Sequence, residues 1–275
     1  MKRIVAAFLF GLLARGVSAG LLVTEVTGKA DVEGKGAIVT LMEIPDGSRL
    51  NLSAGSSLTV VDLASGREFL LKGGRKYTIA EGGPKAMDGT LLEAKPLPAK
   101  NIPELRIGKG KAAQATLVMR GLRETAVPLL LSPVRTAAIT TTPTFRWNAV
   151  ESAINYRLTL KVKDREPIWD VATRDTELSL PADQALSAGQ SYTWKIEAIG
   201  ASGVLSDAST GFSVADASAM ERLAKLKADG NAPFSRRVLY AAQLAESGAV
   251  TDAREAWKAL ASERPDDAVL RALAE

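Results

Sequence analysis

Chemistry in this chain would have to run on carboxylates, because its 275 residues include no His and no Cys. That excludes a Ser-His-Asp triad, a Cys nucleophile, an imidazole base near neutral pH and a zinc site of the usual kind. Carboxylate catalysis and oxygen-ligand Ca²⁺ or Mg²⁺ sites stay open. Glu43, Asp46, Glu68 and Glu81 are the acids that would have to pair. A glycosidase needs two such groups about 5–10 Å apart, and nothing in their spacing brings any two together. Asp46-Gly47-Ser48 with Asp62 offers oxygen ligands but lacks the alternating acids of a Ca²⁺ loop. It reads as a turn. Gly108-Lys-Gly-Lys-Ala-Ala113 matches G-x-G-x-x-A but stands before the strand candidate Ala115–Met119, with no βαβ unit around it. Asn51-Leu52-Ser53 is a formal glycosylation sequon inside an apparent strand. No cofactor and no metal are expected.

Aromatic side chains are the other chemistry-bearing set. Trp147, Tyr156, Tyr192 and Trp194 alternate with polar residues, which places them on an inward face as core rather than as a sugar platform. Trp169 is less constrained and is the aromatic expected to meet a ligand. Arg49, Asn51 and Thr59 stand on the opposite parity to Leu50, Leu52, Leu58 and Val60. They are the outward positions where a partner would touch.

The elements that position these residues change period along the chain. Lys2 and Arg3, the apolar run Ile4–Ala14 and the small residues Val17-Ser18-Ala19 read as a signal peptide over 1–19. The apolar run is shorter than the roughly 20 residues that span a bilayer. Cleavage after Ala19 removes three cations and no acid, lowering the formal net charge from +4 to +1. With cations dispersed among acids, no nucleic-acid partner is expected. Membrane association is expected only transiently, through the signal peptide, unless that segment is uncleaved and anchors the chain.

Residues 20–95 alternate apolar and polar in short runs, separated by turns such as Pro45-Asp46-Gly47, Gly73-Gly74 and Gly82-Gly83-Pro84. Asp-Gly and Gly-Gly supply the positive φ that hairpin turns need. This spacing predicts a small β-sandwich or roll. Residues 96–132 read as a linker with one strand. Residues 133–215 form a second all-β unit, with a tyrosine corner predicted at Tyr192 from Leu186 and Gly189. From 217 the period becomes helical: helices are predicted over 217–229, over 235–247 and from Thr251 to before Pro265. Thr251 is the expected cap of the third, and Asp266 starts a fourth. Glu221, Arg222, Lys225 and Lys227 read as a solvated face.

Three resemblances follow. The run Gly28-Lys-Ala-Asp-Val32, then IPDGSRLNLSAGSSLTVVDL and GREFLLKGGRKYTI, resembles the FecR-type periplasmic domain. That family implies an all-β unit outside the inner membrane; its signalling members carry a transmembrane helix before it, where this chain has only a signal-like segment. PTFRWNAVESAINYRL, LSAGQSYTWKI and GFSV resemble a fibronectin type III domain, with Trp147, Tyr156 and Tyr192 at its core positions. Ala241, Leu244, Gly248, Ala253, Trp257, Leu260 and Pro265 resemble one tetratricopeptide repeat. The expected fold class is mainly β and multidomain, with a short α-helical C-terminal tail. The expected function is non-enzymatic: an exported interaction or scaffold protein of the cell envelope, periplasmic or secreted, binding a protein or an envelope polymer. The competing readings are a signalling component coupled to a membrane regulator and a carboxylate-dependent glycan-active enzyme.

Overall fold

A computed structural model describes residues 20–90, 92–97, 128–162, 165–227 and 232–275. The signal-peptide segment 1–19 and the strand candidate Ala115–Met119 lie outside the described residues. The protein is mainly β, with several sheets and, among the described residues, four short helices. Among the described residues no helix is long and apolar enough to cross a membrane. The chain divides into two compact units, one ending at Pro96 and the other beginning at Leu97.

The first unit contains β1 (Leu21–Thr27), β2 (Ala30–Val32), β3 (Gly36–Ala37), β4 (Glu43–Ile44), β5 (Arg49–Leu52), β6 (Ser57–Asp62), β7 (Arg67–Lys72), β8 (Arg75–Ala80), β9 (Gly83–Ala86) and β10 (Ala94–Pro96). They form two antiparallel sheets of five strands each: a larger one of longer strands, in the order β10-β7-β6-β1-β4, and a smaller one of shorter strands, in the order β3-β2-β5-β8-β9. The alternating residues Leu50, Leu52, Leu58, Val60, Phe69, Leu71, Tyr77 and Ile79 are all buried in one core. Not every turn closes a hairpin. The links Ser53–Ser56 and Gly73–Gly74 carry the chain from one sheet to the other, because β5 and β8 belong to the smaller sheet while β6 and β7 belong to the larger. Tyr77 ties the second corner. Its hydroxyl donates to the Lys72 carbonyl at 2.6 Å and accepts from the Lys72 N–H at 3.0 Å.

Thr59 departs from expectation. It is buried, 7% exposed, although its parity is opposite to that of Leu58 and Val60. β6 is paired by β1 on one edge and β7 on the other. Leu22, Thr24, Thr59 and Val61, on the face away from the core, are buried too. A strand covered on both faces has no polar side, so alternation there does not report exposure.

The second unit opens with β11 (Leu130–Ser132), β12 (Ala137–Ala138), β13 (Thr144–Trp147), β14 (Asn155–Val162), β15 (Pro167–Thr173), β16 (Glu177–Ser179), β17 (Ser191–Gly200) and β18 (Gly203–Val214). A three-stranded sheet, β11-β13-β16, faces a five-stranded one, β12-β18-β17-β14-β15. Between them lie Phe145, Trp147, Tyr156, Trp194 and Phe212, joined by aromatic contacts such as Phe145–Trp194, 5.2 Å between centroids. Tyr192 makes the corner bond that its spacing predicts, accepting from the Ser187 N–H at 2.9 Å.

Four helices follow: α1 (Ala217–Leu226), α2 (Phe234–Glu246), α3 (Val250–Glu263) and α4 (Ala268–Ala274). Asp216 caps α1 by accepting from the Ala219 N–H at 2.7 Å. Asp267, not Asp266, caps α4, accepting from Val269 and Leu270. Thr251 does not cap α3, which already begins at Val250 after Ala249. The reason is tertiary. The α2–α3 turn is docked on the sandwich: the Gly248 carbonyl accepts the Ala137 N–H at 2.8 Å, and the Thr136 hydroxyl lies 3.5 Å from the Thr251 N–H. Gly248 has φ +75°, and a Cβ there would stand 3.6 Å from Ala137 Cβ. Glycine is favoured by that left-handed backbone. Ala215, Ala219 and Met220 extend the apolar contact with Ala137. The helices therefore pack on the β-sandwich as well as on one another.

Candidate functional site

The first unit presents a polar surface on the smaller sheet. β2, β5 and β8 are adjacent strands there, and their register sets Asp31 opposite Asn51 and Asn51 opposite Lys76. The flanking Val32, Leu50, Leu52 and Tyr77 face the core. Period two therefore turns Asp31, Asn51 and Lys76 outward together. One step along the strands lie Glu33 and Arg49, paired weakly at 3.8 Å with both side chains mostly exposed. Met87 closes one end of the row, its N–H bonded to the Lys76 carbonyl and its side chain 59% exposed. Together they line a depression of about 490 Å³, within the size range of small-molecule sites.

The charges of this face are ordered by strand. The acids Asp31 and Glu33 belong to β2 and its end, while the cations Arg49 and Lys76 belong to β5 and β8. Among the described residues, no hydrogen bond or ion pair engages the side chains of Asp31, Asn51 or Lys76. Asn51 stands between the two charges and keeps them two strands apart.

The outer face of the five-stranded sheet in the second unit is built the other way. Arg157 donates to both carboxylate oxygens of Asp170 at 2.7 Å. Lys195 pairs with Glu197 at 2.9 Å and with Asp207 at 3.3 Å. The hydrogen bond from Arg157 holds the Asp170 carboxyl below its ordinary range, and the bond to Glu197 raises the Lys195 ammonium. Charges already satisfied by neighbours have little left to offer a ligand.

A second cavity, about 320 Å³, lies inside the second unit where α3 meets the three-stranded sheet, lined by Thr136, Thr144, Arg146, Asp252 and Glu255 among others. Arg146 is engaged by a fork to Glu177 at 2.9 and 3.1 Å. Burial pushes the Asp252 carboxyl above its ordinary range, and the Glu255 charge adds to this. Tyr240 is pushed up by burial first and by Asp252 second. This cavity belongs to the joint between helices and sandwich.

Of the residues singled out from sequence, Arg49 and Asn51 are exposed and converge on the first depression. Thr59 is buried away from it. Trp169 is half-buried, its ring 6.1 Å from Phe145 at the margin of the sandwich core, so it is held by packing and is not a free aromatic platform. The acids Glu43, Asp46, Glu68 and Glu81 fall on four separate segments: β4, the turn after it, β7 and the turn between β8 and β9. Asp62 is occupied by its own turn, accepting from the Ala64 and Ser65 N–H groups. Among the described residues no group of three or more His, Cys, Asp or Glu is placed to hold a metal ion. Sequence reading missed Asp31, Glu33, Lys76 and Met87. Asp31 and Lys76 carried a parity signal, lying next to Val32 and Tyr77, but parity alone does not say which strands are neighbours. Comparison with protein-family models and with curated proteins finds no match to this chain.

Proposed function

We propose that this protein is an exported, non-enzymatic interaction or scaffold protein of the cell envelope that engages a protein or an envelope polymer through the smaller sheet of its first unit. The observation carrying this reading is the outward row Asp31–Asn51–Lys76, lying unpaired in a depression of about 490 Å³. Polar groups left without partners on an ordered sheet face are available to a ligand without breaking an internal pair, at the cost of ordering their side chains.

In this reading the first unit is FecR-like and the second carries a fibronectin type III-like sandwich with a tetratricopeptide-like tail. The order β11-β13-β16 against β12-β18-β17-β14-β15 and the Tyr192 corner support the fibronectin-like assignment. The contacting helix pair α2 and α3 on either side of Gly248 supports the repeat-like one. The basic and apolar N-terminal segment supports export. The second unit then serves as a platform, with Arg157, Asp170, Lys195, Glu197 and Asp207 on its outer face engaged by one another.

A photo-crosslinking residue at position 51, in intact cells, tests the proposal against one at Lys161 on the outer face of the sandwich. Capture of a protein or of envelope polymer from position 51 and not from 161 supports it. Identical products from both positions, or none from 51, refute it.

A further inference from the structure

We infer that the row on the smaller sheet is a site for a short peptide carrying both a free ammonium and a free carboxylate. This inference rests on the binding role proposed for that face and names its ligand class.

The argument is one of matching order. Across the strands the row presents a carboxylate, Asp31, then a primary amide, Asn51, then an ammonium, Lys76. The complementary ligand presents an ammonium, then a peptide group, then a carboxylate. A side-chain amide is both donor and acceptor, so Asn51 satisfies the N–H and C=O of a peptide group together. Neighbouring strands are about 4.8 Å apart, which places Asp31 and Lys76 about 10 Å apart in backbone terms. An extended peptide advances about 3.3–3.6 Å per residue, so a tripeptide spans the same length.

The second row reinforces the polarity. Glu33 lies at the end of β2 on the acidic side with Asp31, while Arg49 lies on the central strand β5 with Asn51, one strand nearer to Lys76. Their mutual pair at 3.8 Å is long and exposed, so Glu33 remains able to join the ammonium end of a ligand and Arg49 to donate to its middle. Asp31 and Lys76 are not neutralised by one another, because Asn51 occupies the strand between them. A purely anionic polymer would meet the acidic side of the depression, and a purely cationic one the basic side. A neutral sugar would leave both charges unused. Only a ligand with both signs uses the whole row.

The test is titration of the full-length protein with trialanine, followed by amide NMR shifts and calorimetry. Trialanine with free ends is expected to bind weakly, in the millimolar range, moving the signals of Asp31, Asn51 and Lys76. N-acetyl-trialanine and trialanine amide each lose about threefold to fivefold, as expected for one exposed ion pair. Asp31→Lys and Lys76→Asp each weaken binding by a similar factor. The Asp31→Lys/Lys76→Asp double variant restores it, because the peptide can bind in the reverse direction. All three residues are at the surface or outward-facing, so the variants retain the fold; far-ultraviolet circular dichroism checks this. Equal binding of capped and free peptides, no shift at these three residues, or a double variant no better than the singles overturns the inference. If position 51 captures a partner in cells while trialanine moves nothing, the peptide assignment falls and the binding role of the face stands.

Discussion

The Tyr77 hydroxyl is the test of how the two sheets of the first unit are held together. Tyr77→Phe keeps the ring, which is 0% exposed, and removes only the oxygen. Two hydrogen bonds go with it, the 2.6 Å bond to the Lys72 carbonyl and the 3.0 Å bond from the Lys72 N–H. Both Lys72 groups sit where β7 leaves the larger sheet for β8 in the smaller, so a loss there loosens the crossing. At about 1 kcal/mol net per hydrogen bond, the expected cost is about 2 kcal/mol. For a unit of this size each kcal/mol shifts the melting temperature by about 4–8 °C, giving a shift of about 8–16 °C. The assay follows from composition. All four tryptophans, Trp147, Trp169, Trp194 and Trp257, lie beyond Pro96. Tryptophan fluorescence therefore reports unfolding of the second unit, while calorimetry and far-ultraviolet circular dichroism report both. Tyr77→Phe should lower a calorimetric transition and leave the tryptophan midpoint in place. A calorimetric shift below about 3 °C would show that the hydroxyl does not hold the corner. A tryptophan midpoint that moves equally would show that the units do not unfold on their own cores.

Gly83→Ala should be more severe. A Cβ at that position would stand 2.6 Å from the Phe69 ring, on a backbone with φ +122°. Overpacking and the strained backbone together cost about 3 kcal/mol or more, read as a loss of the first unit's urea transition; a soluble variant with an unchanged midpoint would contradict the packing described. Asp252→Asn should stabilise the second unit at neutral pH. The Asp252 carboxyl titrates higher in the folded state than in the unfolded chain because burial disfavours its charge. Its contribution to stability is therefore fully present below the unfolded pKa and is lost as pH rises through the folded one. The advantage of the variant over the wild type in the tryptophan-detected urea midpoint should shrink as pH is lowered and Asp252 is protonated in the wild type, and a variant that is destabilised at pH 7 would refute the sign.

The alternation in Arg49–Leu52, Tyr156–Val162 and Ser191–Ala198, and the helical period after Met220, fixed element type and the inward set, because these patterns are local. So did the missing His and Cys in bounding the chemistry. Where local rules faltered, distant residues intervened. Thr59 carries the parity of an exposed residue, yet β6 is covered on both faces. Thr251 has the chemistry of a cap, yet the turn before it is held by Thr136 and Ala137, more than 100 positions earlier. Gly73–Gly74 reads as a hairpin and is a crossing between sheets.

The candidate site divides in the same way. Sequence alone marked Arg49 and Asn51 as outward, since one strand's alternation suffices for that. It could not bring Asp31 and Lys76 beside Asn51, because strand order and register are set by which core faces pack together. Only the folded sheet places β2, β5 and β8 side by side and puts an acid, an amide and a base in one line.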